Sequence, residues 1–236
     1  MLAGRRYWIL DIGDWRWGKR ALILMAKQPA PGKTKTRLSP PLSLEAAAGL
    51  YRCFLLDKLA QMRQVASVNR GVAYWPATAR DYFAALAPGF ELIPQTGADL
   101  AERLRNVFDL AFDRGYAQVM ALDGDTPTLP AGHLRQGFRR LDEPAVDVVL
   151  GPCEDGGYYA IGMKRPHPTL FDVTMSTPRV VEDTLARADV AGLRVALLPT
   201  WYDVDTPADL ARLAAELAGS DAVNALATAR FLEHER

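Results

Sequence analysis

Short apolar runs alternate with helix-length amphipathic stretches along nearly the whole chain, and this alternation narrows the fold more than any other feature. Strand-like runs lie at Ala21–Ala26, Gly71–Trp75, Phe90–Pro94, Gln118–Leu122, Val146–Gly151, Tyr158–Met163 and Leu193–Leu198. Helical spacing occupies 43–64, 78–87, 99–114, 131–141, 178–189 and a stretch beginning at Thr206. The first run is apolar at every position, as a strand covered on both faces must be. Ser43 stands where an N-cap belongs, and Thr206-Pro207-Ala208-Asp209 supplies a cap, an N1 proline and a capping-box acid. Strands alternating with helices predict an α/β protein with a mainly parallel sheet and helices on both faces. With no repeat and no Ser/Gly linker, one domain over 21–218 is expected. An extension at 1–20 would precede it, and a short helical tail at 219–236 would follow.

Composition removes several function classes. The 236 residues carry 28 basic and 28 acidic side chains, so the formal charge is zero. A general binder of nucleic acid or of anionic membranes shows a cationic excess, so neither partner is expected. No apolar run approaches the ~18 residues that span a bilayer. Cys53 and Cys153 form no C-x-x-C pair, which points to a reducing, cytoplasmic setting. The three histidines are scattered and lack the H-E-x-x-H frame of a zinc hydrolase. Nothing in the sequence fixes an oligomeric state.

In parallel sheets ligands gather at the carboxyl ends of strands, so the segments after strands are where chemistry is expected. The first is Lys27-Gln-Pro-Ala-Pro-Gly-Lys-Thr-Lys-Thr-Arg37, with four cations (Lys27, Lys33, Lys35, Arg37) and no acid. Pro31 and Gly32 shape a tight loop whose amides could face a phosphate. It is not a Walker A loop, since Lys27 stands where the first glycine is needed. The second segment, Ala121-Leu-Asp-Gly-Asp-Thr-Pro127, sets Asp123 and Asp125 around a glycine. Carboxylates this close repel unless a cation neutralises them, and such oxygen donors suit Mg²⁺ or Mn²⁺. In Tyr202-Asp-Val-Asp-Thr-Pro207 an extended backbone would point Asp203 and Asp205 the same way. In the fourth, Gly151-Pro-Cys-Glu-Asp-Gly-Gly-Tyr-Tyr159, Gly156 and Gly157 allow close approach of a ligand. Glu154 and Asp155 there are candidates to bind an acceptor or act as a base, while Cys153 reads as a packed thiol.

The order of these segments carries a resemblance that none has alone. A-K-x-P-x-P-G-x-x-K-T-R-L, then G-D-T-P-T-L-P, then G-P-x-x-D-G-G-Y-Y and finally Y-D-V-D-T-P-x-D-L resemble the bacterial DUF2064 family over residues 21–218. That family is often labelled as glycosyltransferases of arsenosugar biosynthesis within the nucleotide-diphospho-sugar transferase (GT-A) superfamily. More distantly, the chain is similar to 2-phospholactate guanylyltransferase and the molybdenum-cofactor nucleotidyltransferases. The resemblance implies a Rossmann-like GT-A sandwich with a mixed, mainly parallel sheet. It matches Lys33 and Arg37 to a phosphate-holding loop, Asp125 and Asp205 to the metal ligands, and Asp155, Gly156, Gly157 and Tyr158 to the acceptor side. Two departures stand out. The family more often reads G-S-D-x-P where this chain has Asp123-Gly124-Asp125-Thr126-Pro127, and Met175 replaces a common Trp before Ser176-Thr177.

These motifs together lead us to expect a metal-dependent transferase. Asp125 and Asp205, with Asp123 and Asp203 as weaker candidates, would hold Mg²⁺ or Mn²⁺. Lys33 and Arg37, with Lys27, Pro31, Gly32 and Lys35 around them, would hold the donor's phosphates. A nucleotide-sugar or a nucleoside triphosphate would be the donor, and a small molecule the acceptor. Glycosyl transfer from a nucleotide sugar is the leading reading and nucleotidyl transfer with release of pyrophosphate the alternative. A non-catalytic nucleotide-binding module would need only the basic loop and leaves both acidic segments unexplained.

Overall fold

The computed structural model describes residues 20–219 and 224–234; the expected N-terminal extension, Arg20 apart, lies outside them. Seven strands form one sheet: β1 (Arg20–Lys27), β2 (Asn69–Trp75), β3 (Glu91–Pro94), β4 (Gln118–Leu122), β5 (Val148–Pro152), β6 (Tyr158–Met163) and β7 (Val195–Leu197). Their spatial order is β3-β2-β1-β4-β6-β5-β7. β1 pairs in parallel with β2 and β4, and β2 with β3, while β6 runs antiparallel to both β4 and β5. β7 closes the far edge parallel to β5.

Among the described residues seven α-helices cover the sheet: α1 (Leu44–Arg63), α2 (Arg80–Leu86), α3 (Leu100–Asp113), α4 (Ala131–Asp142), α5 (Val180–Val190), α6 (Pro207–Gly219) and α7 (Leu226–His234). The period of two along each strand decides which helices it meets. Leu22 and Leu24 of β1 and Met120 and Leu122 of β4 face the core shared with α1, α2, α4, α6 and α7. Ala21, Ile23, Val119 and Ala121 face the opposite core, filled by Leu104, Val107 and Phe108 of α3 and Ala188 of α5.

The helix starts follow the sequence signals. Ser43 Oγ accepts from Ala46 N at 3.0 Å ahead of α1, and Asp99 Oδ1 accepts from Glu102 N at 2.8 Å ahead of α3. At α6 the box is reciprocal: Asp209 N donates to Thr206 Oγ1 at 3.3 Å, and Thr206 N donates to Asp209 Oδ2 at 2.8 Å. Asp57, buried in α1, accepts from Ala227 N, Thr228 N and Thr228 Oγ1 at 2.8, 2.9 and 2.6 Å, and so caps α7 from a distant element. The α/β fold with a mixed, mainly parallel sheet is as the sequence predicts. The predicted runs at 146–151 and 193–198 shorten to β5 and β7.

This topology places one set of loops together. The carboxyl ends of β1, β2, β3, β4, β5 and β7 open on one edge of the sheet, and the reversed β6 brings its first residue, Tyr158, to that same edge. A single parallel bridge, Cys153 with Trp201, prolongs β5 and the segment after β7 toward the same place.

Candidate active site

Three of the four chemistry-bearing segments meet on Lys35. Its ammonium lies 2.6 Å from Asp125 Oδ1 and 2.5 Å from Asp205 Oδ1, so carboxylates 80 positions apart share one cation. The Lys35 side chain is only 6% exposed, while those of Asp125 and Asp205 are 39% and 38% exposed and present their other faces to solvent. Burial alone would lower the Lys35 pKa, but Asp125 and Asp205 outweigh it and the pKa rises, so the group stays charged. The backbone at Lys35 is left-handed, φ 50° and ψ 37°. That conformation costs a non-glycine residue about 1 kcal/mol, and the two ion pairs hold it in place. A backbone bond from Val204 N to Asp125 O (3.0 Å) keeps the two acidic segments side by side.

The acidic turn after β4 has a buried floor. Asp123 N donates to Tyr159 O at 3.0 Å, and Thr126 Oγ1 donates to Asp123 Oδ1 at 2.8 Å. From α1, the wholly buried Lys58 donates to Thr126 O at 2.9 Å, to Thr126 Oγ1, and lies 3.7 Å from Asp123 Oδ1. Burial pushes the Asp123 carboxyl up to about 7 in spite of Lys58, and Asp125 adds to the rise. Gly124 has no room for a side chain larger than a hydrogen without displacement, since a Cβ there would meet Tyr51 Oη at 3.0 Å and Leu55 Cδ2 at 3.1 Å.

Near Asp205 a second group forms. Single donor atoms of Cys153, Asp155 and Asp203 all lie within 4.8 Å of one another. Burial, with Asp155 and Asp205 nearby, pushes Asp203 up to about 6, and burial raises the Cys153 thiol as well, so it holds its proton and is a poor nucleophile. Asp155 Oδ1 accepts from Gly157 N at 2.8 Å, and Gly156, at φ +90°, presses so close to the Pro178 carbonyl that a Cβ would sit 1.8 Å from its oxygen. The D-G-G-Y turn is therefore clamped to the chain just before α5, with Val181 N donating to Gly156 O at 2.9 Å. Tyr158 reaches Met175, Oη to Sδ 3.9 Å.

Beside the acidic centre, at the ends of β1 to β4, a cavity of about 300 Å³ opens. Asp123, Gly124 and Asp125 form one end, and Trp75, Gln95 and Arg103 line it further along. The Arg103 guanidinium stacks 4.0 Å from the Trp75 ring centroid.

The family model described as "uncharacterized protein conserved in bacteria (DUF2064)" matches residues 58–177, just over half of the chain. The chain belongs to the DUF2064 family. Its fold superposes on a protein from Desulfovibrio desulfuricans, provisionally described as a nucleotide-diphospho-sugar transferase, at TM-score 0.86 and 32% identity, covering 92% of this chain and 95% of the other. A CMP-2-keto-3-deoxy-manno-octonic acid synthetase complexed with CTP aligns at TM-score 0.57 and 17% identity over 85% and 98% of the two chains. A glucosyl-3-phosphoglycerate synthase from Mycobacterium tuberculosis, in complex with Mn²⁺, UDP and glucosyl-3-phosphoglycerate, aligns at 0.51 and 11% over 84% and 78%. These two show the fold alone. No curated protein matches the chain.

In this DUF2064 protein Asp123, Asp125, Asp155, Asp203 and Asp205 lie in one neighbourhood, while Glu154 turns outward into a bidentate pair with Arg212 at 2.6 and 3.0 Å. The basic loop divides. Lys35 is drawn into the centre, whereas Lys33 and Arg37 are exposed and Lys27 Nζ donates to the Lys33 carbonyl at 2.8 Å. The expectation that this loop turns its amides to a ligand fails for Lys33 and Thr34, whose N–H groups both donate to Ala30 O, because Gly32 at φ +68° folds the chain back on itself. Sequence patterning does not single out Lys58. Its one signal is a lysine on the apolar stripe Leu50, Tyr51, Phe54, Leu55, Leu59 and Met62 of α1.

Two half-exposed aspartates already sharing a cation offer hard oxygen donors with spare lone pairs, which is the donor set Mg²⁺ or Mn²⁺ takes. The neighbouring Cys153, Asp155 and Asp203 mix a protonated thiol with carboxylates and suit a hard ion less well.

Proposed function

We propose that this chain is a nucleotide-dependent transferase acting as a glycosyltransferase, which moves a sugar from a nucleoside-diphosphate donor to a hydroxyl of a small molecule. The single observation that carries the reading is the meeting of Asp125, which lines the cavity, with Asp205 on one cation. Asp125 and Asp205 would hold Mg²⁺ or Mn²⁺, which when bound neutralises the donor's diphosphate and eases its departure from the sugar. Lys33 and Arg37, exposed on the adjoining loop, are free to reach the same phosphates and stabilise the charge that builds on them. The cavity is apolar along much of its wall and carries a Trp75–Arg103 stack, which suits the nucleoside end of the donor.

The choice between glycosyl and nucleotidyl transfer turns on the acceptor. Nucleotidyl transfer brings an acceptor phosphate up to the α-phosphorus and needs cations to receive it. On the Gly156-Gly157 side the nearest groups are Asp155, Asp203 and a protonated thiol. That surface repels a phosphate and accepts hydrogen bonds from hydroxyls. The cation-rich first loop favours the nucleotidyl alternative, because a departing pyrophosphate carries more charge than a nucleoside diphosphate.

Incubation with a panel of nucleotide sugars and, separately, with labelled nucleoside triphosphates distinguishes the two. Release of a nucleoside diphosphate that depends on Mn²⁺ and falls at least a hundredfold in Asp125→Asn and Asp205→Asn is the expected result. Acceptor-dependent release of pyrophosphate would replace the glycosyl reading with the nucleotidyl one.

A further inference from the structure

The groups best suited to a divalent ion are already neutralised from within. Lys35 Nζ lies between Asp125 Oδ1 and Asp205 Oδ1 at 2.6 and 2.5 Å, and it also faces the rings of Tyr51 and Phe54 at 5.9 and 5.8 Å. An ion bound to both of those oxygens at the usual ~2.1 Å would crowd the ammonium that already holds them. Two positive charges at that separation, in a pocket that leaves Lys35 6% exposed, repel strongly, so ion and ammonium compete for the same pair of acids.

We infer that Lys35 is a resident counter-ion that keeps Mg²⁺ or Mn²⁺ off Asp125 and Asp205 until the donor's diphosphate draws the ammonium away. The inference rests on the metal role proposed for these two acids. Lys33 and Arg37 stand exposed on the loop that carries Lys35, and a diphosphate drawn to that loop offers the ammonium a new anionic partner. Once Lys35 turns to the phosphates, the carboxylates lose their counter-charge and the metal can take its place. Lys35 itself is the short link between the two sites: each ligand removes the obstacle to the other. Coupling of this kind is reciprocal, so donor and metal must strengthen each other's binding by the same factor. A metal that loads only with its donor also leaves no charged, water-accessible metal centre open in the empty enzyme.

The test is Mn²⁺ binding to the whole protein, read from the electron paramagnetic resonance signal of free Mn²⁺, with Mn²⁺ alone and then with UDP, CDP, GDP or ADP in turn. Wild-type protein is expected to bind Mn²⁺ at least tenfold more tightly once an accepted nucleotide is present. Lys35→Met is expected to bind Mn²⁺ at least tenfold more tightly than wild type without nucleotide, and to gain less than threefold from adding it. Lys33→Met removes the same charge from the same loop and should shift nucleotide-free binding less than threefold. Equal nucleotide-free affinities for wild type and Lys35→Met would overturn the inference, as would an equal gain in Lys33→Met, which would reveal only the general field of the loop. If none of the proteins binds Mn²⁺ with any nucleotide, the metal reading itself falls and takes this inference with it. Should Lys35→Met lack a cooperative thermal transition, Lys35→Gln carries the same expectation at smaller amplitude.

Discussion

The Lys58 ammonium and the Asp123 carboxylate face each other inside the protein, 3.7 Å apart, with the lysine side chain wholly shielded and the aspartate 19% exposed. Lys58 also donates to Thr126 O at 2.9 Å and to Thr126 Oγ1, and Thr126 Oγ1 in turn donates to Asp123 at 2.8 Å. Three polar groups from α1 and the acidic turn thus satisfy one another around a lysine that water does not reach.

Removing one member should therefore cost more than removing two. Lys58→Met leaves Asp123 and the Thr126 carbonyl without their donor, and a loss of about 3 kcal/mol in urea unfolding is expected. The double variant Lys58→Met/Asp123→Asn should recover at least about 1 kcal/mol of that, because no buried charge is left alone. Additive losses in the double-mutant cycle would show that the two groups do not interact.

The clamp at Gly156 gives a second prediction. At φ +90°, with a Cβ placed 1.8 Å from the Pro178 oxygen, Gly156→Ala must move backbone. A loss of about 3 kcal/mol in stability is expected, strain and clash together. Gly192 also has a positive φ, +66°, but nothing within 4 Å of a Cβ, so Gly192→Ala should cost only about 1 kcal/mol. Similar melting temperatures for the two variants would contradict the close contact.

The edge strand β7 is tied to β5 by a charge pair whose pH dependence has a definite sign. Asp147 accepts from Arg194 Nε at 2.9 Å, from Arg194 N at 3.0 Å and from Arg194 Nη2 at 3.2 Å, and these bonds hold its carboxyl down to about 2. A carboxylate depressed in the folded state adds stability above its unfolded pKa of ~3.9 and loses it as pH falls toward 2. Because the arginine is more than half exposed, solvent screening limits the contribution to about 1 kcal/mol. Asp147→Asn should therefore be about 1 kcal/mol less stable than wild type at pH 7, and the gap should shrink as pH falls through about 2, measured by urea unfolding.

Asp57 caps a helix 170 residues away. Asp57→Ala should lower stability by about 2 kcal/mol and raise hydrogen-exchange rates first in Leu226–His234, where the N-terminal amides lose their acceptor. Uniform exchange across the whole chain would mean that α7 does not depend on this cap.

Much of this architecture could be read from local signals. Ser43 and Thr206-Pro207-Ala208-Asp209 announce helix starts through contacts within four residues, and the apolar run at Ala21–Ala26 needs no partner to be recognised as buried. The features hidden from the sequence depend on contacts between distant residues. The reversal of β6 between β4 and β5 is set by pairing such as Leu122 with Ala160, and no single segment encodes it. In the basic loop, Lys33 and Lys35 look alike in sequence; the left-handed turn at Lys35 sends one inward and leaves the other in water. Lys58 is masked by its neighbours, since a helix read for apolar spacing hides a charge that its tertiary partners satisfy.

The Gln61 side chain donates to Pro127 O, in the turn that carries the acidic pair, and to Asn224 O at 3.0 Å, just ahead of the last helix. One amide group thus rivets the segment that leads into α7 to the turn that carries Asp123 and Asp125. Gln61→Leu would remove both bonds at once and so unfasten the start of α7 and the Pro127 turn together.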